Sequence, residues 1–402
     1  MDKIKMCEDE LREIYSYYDD IAVFNSKKVL EAFQKCNVAS RHFFGSTGYG
    51  YGDEGRDKLN EVYAKVFGAE SAIVSPLITC GSHALNIALF GLLRPGDIAF
   101  SITGTPYDTL GEVVYDKNGL GSLPDYNIKF EQVELVDGKI DEKVALEYIK
   151  KHKPKVVYLQ RSRGYSARKA LSVEVMEPIF KKIKEISPES FIIVDNCYGE
   201  FVEIKEPTEV GADLIVGSLI KNPGGTLAPT GAYFAGTNKA IKLVAGRYTS
   251  ASLGTEVGSF EFGYRLFYQG LFMAPHVVIG AIKGMYLIGK VMENKGYYVM
   301  PASNEKTFDI IKSIKFPSES ELIRFIQSIQ KFSPVDSCVV PEPWDMPGYT
   351  DKVIMAAGTF VGGASIELSS DCPIKKPFWA YLQGGITYEH CKIVASELEK
   401  LF

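Results

Sequence analysis

The sequence predicts an α/β fold: a mostly parallel central sheet covered by helices, with a smaller C-terminal α+β domain. Three observations carry this reading. Short runs such as 191–194 are apolar throughout, as strands buried on both faces must be. Helical segments separate these runs with regular alternation. Beyond residue 292 that rhythm is lost, and the 402-residue length leaves room for two or three domains at ~150 residues each.

Residues 3–36 read as helix, with Leu11, Ile14, Tyr15 and Tyr18 at helical spacing. A glycine-rich stretch, 45–55, follows. The next helix, 56–67, stops at Gly68, a natural residue just past a helix end. Then come strand 71–74, helix 81–93, strand 97–102, helix 107–115, strand 128–135, helix 141–152 and strand 155–160. Helix 173–186 leads to strand 191–194, followed by strands 213–218 and 232–235. An apolar helix over 275–292 closes the series, and residues 364–368 read as a strand of the last domain. The divisions are therefore 1–55, 56–294 and 295–402.

Apolar residues make up 46% and charged residues 24%, as in ordinary globular enzymes rather than disordered chains. Lys and Arg number 45 against 50 Asp and Glu, a net charge of −5 with no long basic run. Nucleic acid and membrane surface are therefore not expected partners. The seven cysteines, at 7, 36, 80, 197, 338, 372 and 391, are scattered without a C-x-x-C pair. Neither a disulfide framework nor a zinc ribbon is indicated, no metal-ligand cluster is expected, and a reducing cytoplasm fits. Residues 1–8 lack the apolar stretch of a signal peptide. The most apolar region, 277–292, carries Lys283 and Lys290 and reads as a buried helix with snorkelling lysines, not a bilayer span.

Residues 50–55 match the dinucleotide fingerprint G-x-G-x-x-G, but no strand precedes them, as that fingerprint requires. A second constellation sits where ligands of open α/β sheets bind, at the carboxyl ends of strands. Asp195 ends the apolar strand 191–194, and Lys221 follows strand 213–218 within Gly217-Ser218-Leu219-Ile220-Lys221-Asn222-Pro223-Gly224-Gly225. Thr79-Cys80-Gly81-Ser82-His83 opens an amphipathic helix. An acid to face a pyridinium nitrogen, a lysine for a Schiff base and a helix start for a phosphate point to pyridoxal 5′-phosphate.

The chain resembles fold-type I pyridoxal-phosphate enzymes of the Cys/Met-metabolism group, and most closely their aluminium-resistance or methionine γ-lyase-like branch. The matching stretches are 48–57, 194–201, 218–225 and 381–388. The resemblance implies a homotetramer of paired dimers with active sites shared between subunits. Residues 1–55 would then supply an N-terminal helix and an inter-subunit arm, 56–294 the cofactor-binding domain and 295–402 the small domain.

Lys221 is the expected Schiff-base lysine, its pKa lowered by desolvation or nearby cations. Asp195 would keep the ring nitrogen protonated. Backbone N–H groups of Gly81 and Ser82 would hold the phosphate, Ser82 serving alternatively as a plain helix cap. From the resemblance, Ser218 would add a hydroxyl to the phosphate, and Tyr107 would stack on the ring or protonate a leaving sulfur. His83 is the alternative stacking residue. Tyr49 or Tyr51 would reach a neighbouring subunit's site. A substrate carboxylate needs a cation, which relatives supply as arginine. Lys375 stands at the corresponding place, with Arg161 and Arg163 as other candidates.

The resemblance implies a carbon–sulfur lyase performing β- or γ-elimination on a sulfur amino acid such as cystathionine, methionine or a cysteine derivative. Transamination, aldol cleavage, and a cofactor-binding regulatory or metal-tolerance role with little turnover are the alternatives.

Overall fold

The computed structural model describes residues 2–117, 119–346 and 349–402. The N-terminal segment forms two helices, α1 (Asp2–Glu10) and α2 (Arg12–Lys35), which break at Leu11. Tyr15, Tyr18, Ile21, Val29 and Ala32 make the buried stripe of α2. The glycine-rich stretch turns at the surface and leads into α3 (Glu54–Val66), capped by Asp53, whose carboxylate accepts the Arg56 N–H at 2.9 Å.

The large sheet then builds through β1 (Ser71–Ser75), α4 (Gly81–Leu92), β2 (Ile98–Ser101), α5 (Gly111–Val114), β3 (Lys129–Gln132) and α6 (Glu142–His152). It continues with β4 (Val156–Gln160), α7 (Val173–Ile186), β5 (Phe191–Asp195), β6 (Leu214–Ser218), β7 (Ala232–Gly236), α8 (Asn238–Tyr248) and α9 (Arg265–Asn294). Its seven strands lie in the order β1-β7-β6-β5-β4-β2-β3. Strands β2 to β6 run parallel, while β7 is antiparallel to both neighbours. Alternate side chains of β5 enter two cores. Ile192 and Val194 join the core containing α7 and α9, and Phe191 and Ile193 join the core containing α4 and α8.

The remaining chain gives β8 (Tyr298–Met300), β9 (Ile311–Lys315), α10 (Glu319–Lys331), β10 (Val353–Ala356), β11 (Ser369–Pro373), β12 (Trp379–Gln383) and α11 (Tyr388–Leu401). Its five strands form an antiparallel sheet in the order β10-β11-β12-β9-β8.

Several elements differ from expectation. Residues 364–368 are not a strand, because their backbone serves other contacts: the Ile366 N–H donates to Ile220 O at 3.1 Å, and Ile366 O accepts the Gly385 N–H at 2.7 Å. The helix expected over 107–115 shrinks to a 3₁₀ turn and the single turn α5. Helix α8 was not anticipated. Helix α9 begins ten residues early and runs through Pro275, with Phe267, Tyr268, Leu271 and Ala274 buried along the added turns. Tertiary burial outweighs the proline there. By length and composition α9 could cross a membrane, yet 72% of its most apolar window is buried inside the protein. Its Lys283 pairs with Asp19 at 3.0 Å and its Lys290 with Glu10 at 2.5 Å. All seven cysteines are unpaired.

A buried clamp joins the two sheets. Arg163, beyond β4, donates through Nη1 to Met300 O at 2.9 Å and to Ser313 Oγ at 3.2 Å, and it pairs with Asp309 at 3.3 Å. Both charged groups are buried. Asp309→Ala leaves the guanidinium without its counter-charge and should cost about 3–5 kcal/mol, read as a lower thermal midpoint.

Candidate active site

Parallel strands end on one edge of the sheet, and the loops beyond β4, β5 and β6 meet there. Asp195 is the last residue of β5, and its carboxylate accepts the Cys197 N–H at 3.1 Å. Burial pushes this carboxyl upward, opposed by the Lys221 charge and by the Cys197 contact. Lys221 lies three residues past β6 and is half-buried. Its Nζ sits 3.9 Å from the centre of the Tyr198 ring, a cation–π contact. Tyr198 holds a left-handed φ of 69°, a conformation that costs a non-glycine residue about 1–2 kcal/mol. Its hydroxyl donates to Ala364 O at 3.2 Å.

The lysine differs electrostatically from expectation. Burial works against its charge, but Cys197, Tyr198, Asp195 and Glu200 outweigh burial and hold the ammonium above the ordinary lysine range. Acidic and phenolic groups surround it instead of the cations that would lower its pKa.

Its loop is fixed from behind. A Cβ on Gly225 would lie 2.2 Å from Gly270 O, and one on Gly270 would lie 2.1 Å from Gly224 O, so the loop packs backbone to backbone on α9. Asn222 Nδ2 donates to Glu200 O at 2.9 Å. Glu200 is fully buried and pushed up to about 8, chiefly by burial. Tyr233 donates to its Oε1 at 2.9 Å, whereas its Oε2 and Asn222 Oδ1 are buried without partners. A protonated Glu200 supplies the donor that such a site otherwise lacks.

Three loops converge at the start of α4. A Cβ on Gly81 would lie 3.6 Å from Cys197 Sγ and 3.7 Å from Ser218 Cβ. The first-turn amides of α4 have no intrahelical acceptors, which makes this end suited to an anion. Ser82 is not the cap: Cys80 Sγ accepts the His83 N–H at 3.4 Å, and Ser82 Oγ bonds Thr109 Oγ1 at 2.6 Å. His83 is exposed and bonds Thr79 Oγ1 at 3.1 Å.

The Tyr107 N–H donates to Gln160 Oε1 at 2.8 Å, and its hydroxyl bonds the Tyr349 hydroxyl. Burial, then the Asp371 charge, raises the Tyr107 pKa, so the phenol keeps its proton. Beside it opens a cleft of about 350 Å³ lined by Tyr107, Asp108, Gln160, Tyr165 and Lys375 among others.

Of the three candidate carboxylate binders, only Lys375 is an exposed cation, paired with Asp351 at 2.8 Å. Arg161 and Arg163 are spent internally. Arg161 binds Glu203 at 2.6 Å, Asn196 Oδ1 at 2.8 Å and Gly199 O at 2.8 Å, and Arg163 forms the domain clamp. Tyr49 and Tyr51 are 71% and 64% exposed and pack on each other, ring centres 5.5 Å apart, rather than against Lys221. Their turn is held by Arg56, which donates to Gly50 O at 3.0 Å.

Tyr198, Glu200, Asn222, Tyr165 and Asp371 were not singled out by sequence. Tyr198 and Glu200 stand within five residues of Asp195, so the run 195–200 held the signal. Asp371, in the polar run Ser369-Ser370-Asp371, carried no local signal.

The parallel sheet, the acid and lysine at adjacent strand ends and the glycine-opened helix define the fold-type I class of pyridoxal-phosphate proteins. The pyridoxal-5′-phosphate-dependent protein YhfS of Escherichia coli shares this fold, with a TM-score of 0.61 at 14% identity over 96% of this chain and 97% of that one. Within that class the chain belongs to the methionine gamma-lyase family, whose model matches residues 1–401. It is similar to a structure from Clostridium acetobutylicum described as a candidate cystathionine beta-lyase involved in aluminum resistance. That pair has a TM-score of 0.96 and 48% identity over 99% of this chain and 94% of the other. It is also similar to a carbon-sulfur lyase involved in aluminum resistance from Clostridium novyi NT, with a TM-score of 0.95 and 46% identity over 100% and 96% of the two chains. The residues present fit pyridoxal phosphate: a buried carboxylate, an amine seated on an aromatic ring, and a glycine-opened helix end beside Ser218.

Folding keeps on Glu200 a proton that the unfolded chain releases near 4.5. The resulting stability is complete below about 4.5 and is lost as pH rises through about 8. Glu200→Gln, which mimics the protonated acid, should reduce the fall in thermal midpoint between pH 5 and pH 8.

Proposed function

We propose that this protein is a pyridoxal-phosphate-dependent carbon–sulfur lyase that eliminates a thiol from the β- or γ-carbon of a sulfur amino acid, the unsaturated amino acid left behind taking up water to give a 2-oxo acid and ammonia. The observation that carries the reading is Lys221 Nζ seated on Tyr198, with the buried Asp195 carboxylate bearing on its charge. The lyase names of its relatives support the same chemistry. Bound pyridoxal phosphate supplies a sink for the electron pair left when the Cα proton departs.

Lys221 is the covalent anchor. Its amine, when free, takes the Cα proton, and the surrounding acids and phenols make it a strong proton acceptor. Asp195 keeps a proton on the ring nitrogen through its negative charge. The first amides of α4, at Gly81 and Ser82, and the Ser218 hydroxyl hold the phosphate. Tyr107, kept protonated, donates to the departing sulfur, a role typically worth ~10²–10⁴ in rate. Lys375 faces the cleft and supplies the cation for the substrate carboxylate. It does so as a point charge rather than a fork, which orients the carboxylate less tightly than arginine would. The exposed Tyr49–Tyr51 turn fits a homotetramer of paired dimers in which each arm completes the neighbour's site.

Lys221→Ala should abolish the visible absorbance of the cofactor-loaded protein and its release of 2-oxo acid. Tyr107→Phe should retain the absorbance and lower kcat by about 10²–10⁴. The reading is wrong if the loaded wild-type protein releases no 2-oxo acid from cystathionine, methionine, or cysteine and homocysteine derivatives.

A further inference from the structure

Strand β11 brings one more acid to the site. Asp371 is buried, 6% exposed, opposite Tyr381 in the β11–β12 ladder. Asp371 shares its face of the ladder with Tyr381, whose ring centre lies 5.1 Å from that of Tyr165 in the loop beyond β4, so this face is turned toward the loops of the large sheet. The groups whose charges bear on it are Tyr107, Tyr165, Tyr198, Tyr349, Tyr381, Cys372 and Lys221. No arginine is among them, and its carboxylate forms no ion pair with a described residue.

The phenols form a connected frame. Tyr165 lies with ring centres 5.9 Å from Tyr107, 5.7 Å from Tyr349 and 5.1 Å from Tyr381. The buried Tyr165 hydroxyl is turned to the Asp371 carboxylate and favours its charged form. A buried carboxylate that forms no ion pair with a described residue, a phenol turned to it and neighbouring aromatic rings make a site for a compact cation with N–H donors. The one cation near Asp371 is Lys221, which the proposed function commits to the cofactor.

We infer that Asp371, framed by Tyr107, Tyr165 and Tyr349, docks an ammonium nitrogen of the amino-acid substrate. The inference rests on the proposed function and narrows its substrate class. The nitrogen is either the α-ammonium common to all amino acids or a second amine on the side chain beyond the sulfur. Both present the same chemistry to Asp371, and the experiment separates them. Burial pushes the Asp371 carboxyl up to about 7, so its anionic, cation-binding form grows as pH rises through neutrality.

The test titrates the cofactor-loaded protein with S-methylcysteine, which carries only the α-amine, and with S-(2-aminoethyl)cysteine, which carries two amines. Binding is read from the visible band and independently by calorimetry. Asp371→Asn should weaken the aminoethyl compound about tenfold or more, the size expected of a charge-assisted contact. Asp371→Glu should recover part of that loss. If S-methylcysteine keeps its affinity in Asp371→Asn, the docked nitrogen belongs to the side chain. If both compounds weaken together, it is the α-ammonium. If both stay within twofold of wild type in a variant with unchanged melting and cofactor band, the inference is overturned. A wild-type affinity for the aminoethyl compound that does not tighten between pH 6 and pH 8 overturns it as well, even if the Asn variant fails to fold. Should wild type bind neither amino acid by either readout, the proposed function falls, and the inference with it.

Discussion

The structure depends on one placement: a lysine amine held over an aromatic ring at the carboxyl edge of a parallel sheet. Tyr198 adopts a costly left-handed turn, and Gly224 and Gly225 press on α9, so that Lys221 Nζ rests 3.9 Å from the ring centre. The strain is local, and the two buried cores of the large domain can sustain it. Burial alone would lower the pKa of such an amine. The surrounding Cys197, Tyr198, Asp195 and Glu200 reverse that tendency. The surrounding groups thus favour the protonated form of the Lys221 amine.

Much of the large domain was legible in the sequence because its strands are uninterrupted apolar runs whose burial leaves no alternative. Strands β4 to β7 are buried at every residue, and Asp195 and Lys221 sit where those runs stop. The small domain was much less legible. Its strands carry serines, an aspartate and a lysine, as in Ser369–Pro373 and Ile311–Lys315, and their burial comes from pairing and domain contact that no local pattern announces. Residues 364–368 look like a strand but spend their backbone on the lysine loop and on Gly385. The two arginines beyond β4 looked available in sequence, because a charge near a strand end gives no sign of a counter-charge elsewhere in the chain. Asp309 for Arg163 and Glu203 for Arg161 lie 146 and 42 residues away.

The site is also more acidic and phenolic than sequence indicated. Glu200 lies within the large domain and Asp371 is brought by the small domain, and the Lys221 charge bears on both. Both are buried carboxyls with pKa values pushed to about 8 and about 7. Sequence spacing cannot reveal such a pair, since 171 positions separate them and only the folded chain brings each under the influence of Lys221.

Helix α9 gives the molecule a mechanical property. It touches the backbone of the lysine loop at Gly270, and nineteen residues further on it packs at Gly289 against the side chain of Lys312 of β9. Where main chain lies on main chain, no side chain can swivel to absorb a shift. The seat of the lysine loop on this helix is therefore fixed, while its far end meets the C-terminal sheet through a side chain, and one continuous element spans both halves of the protein.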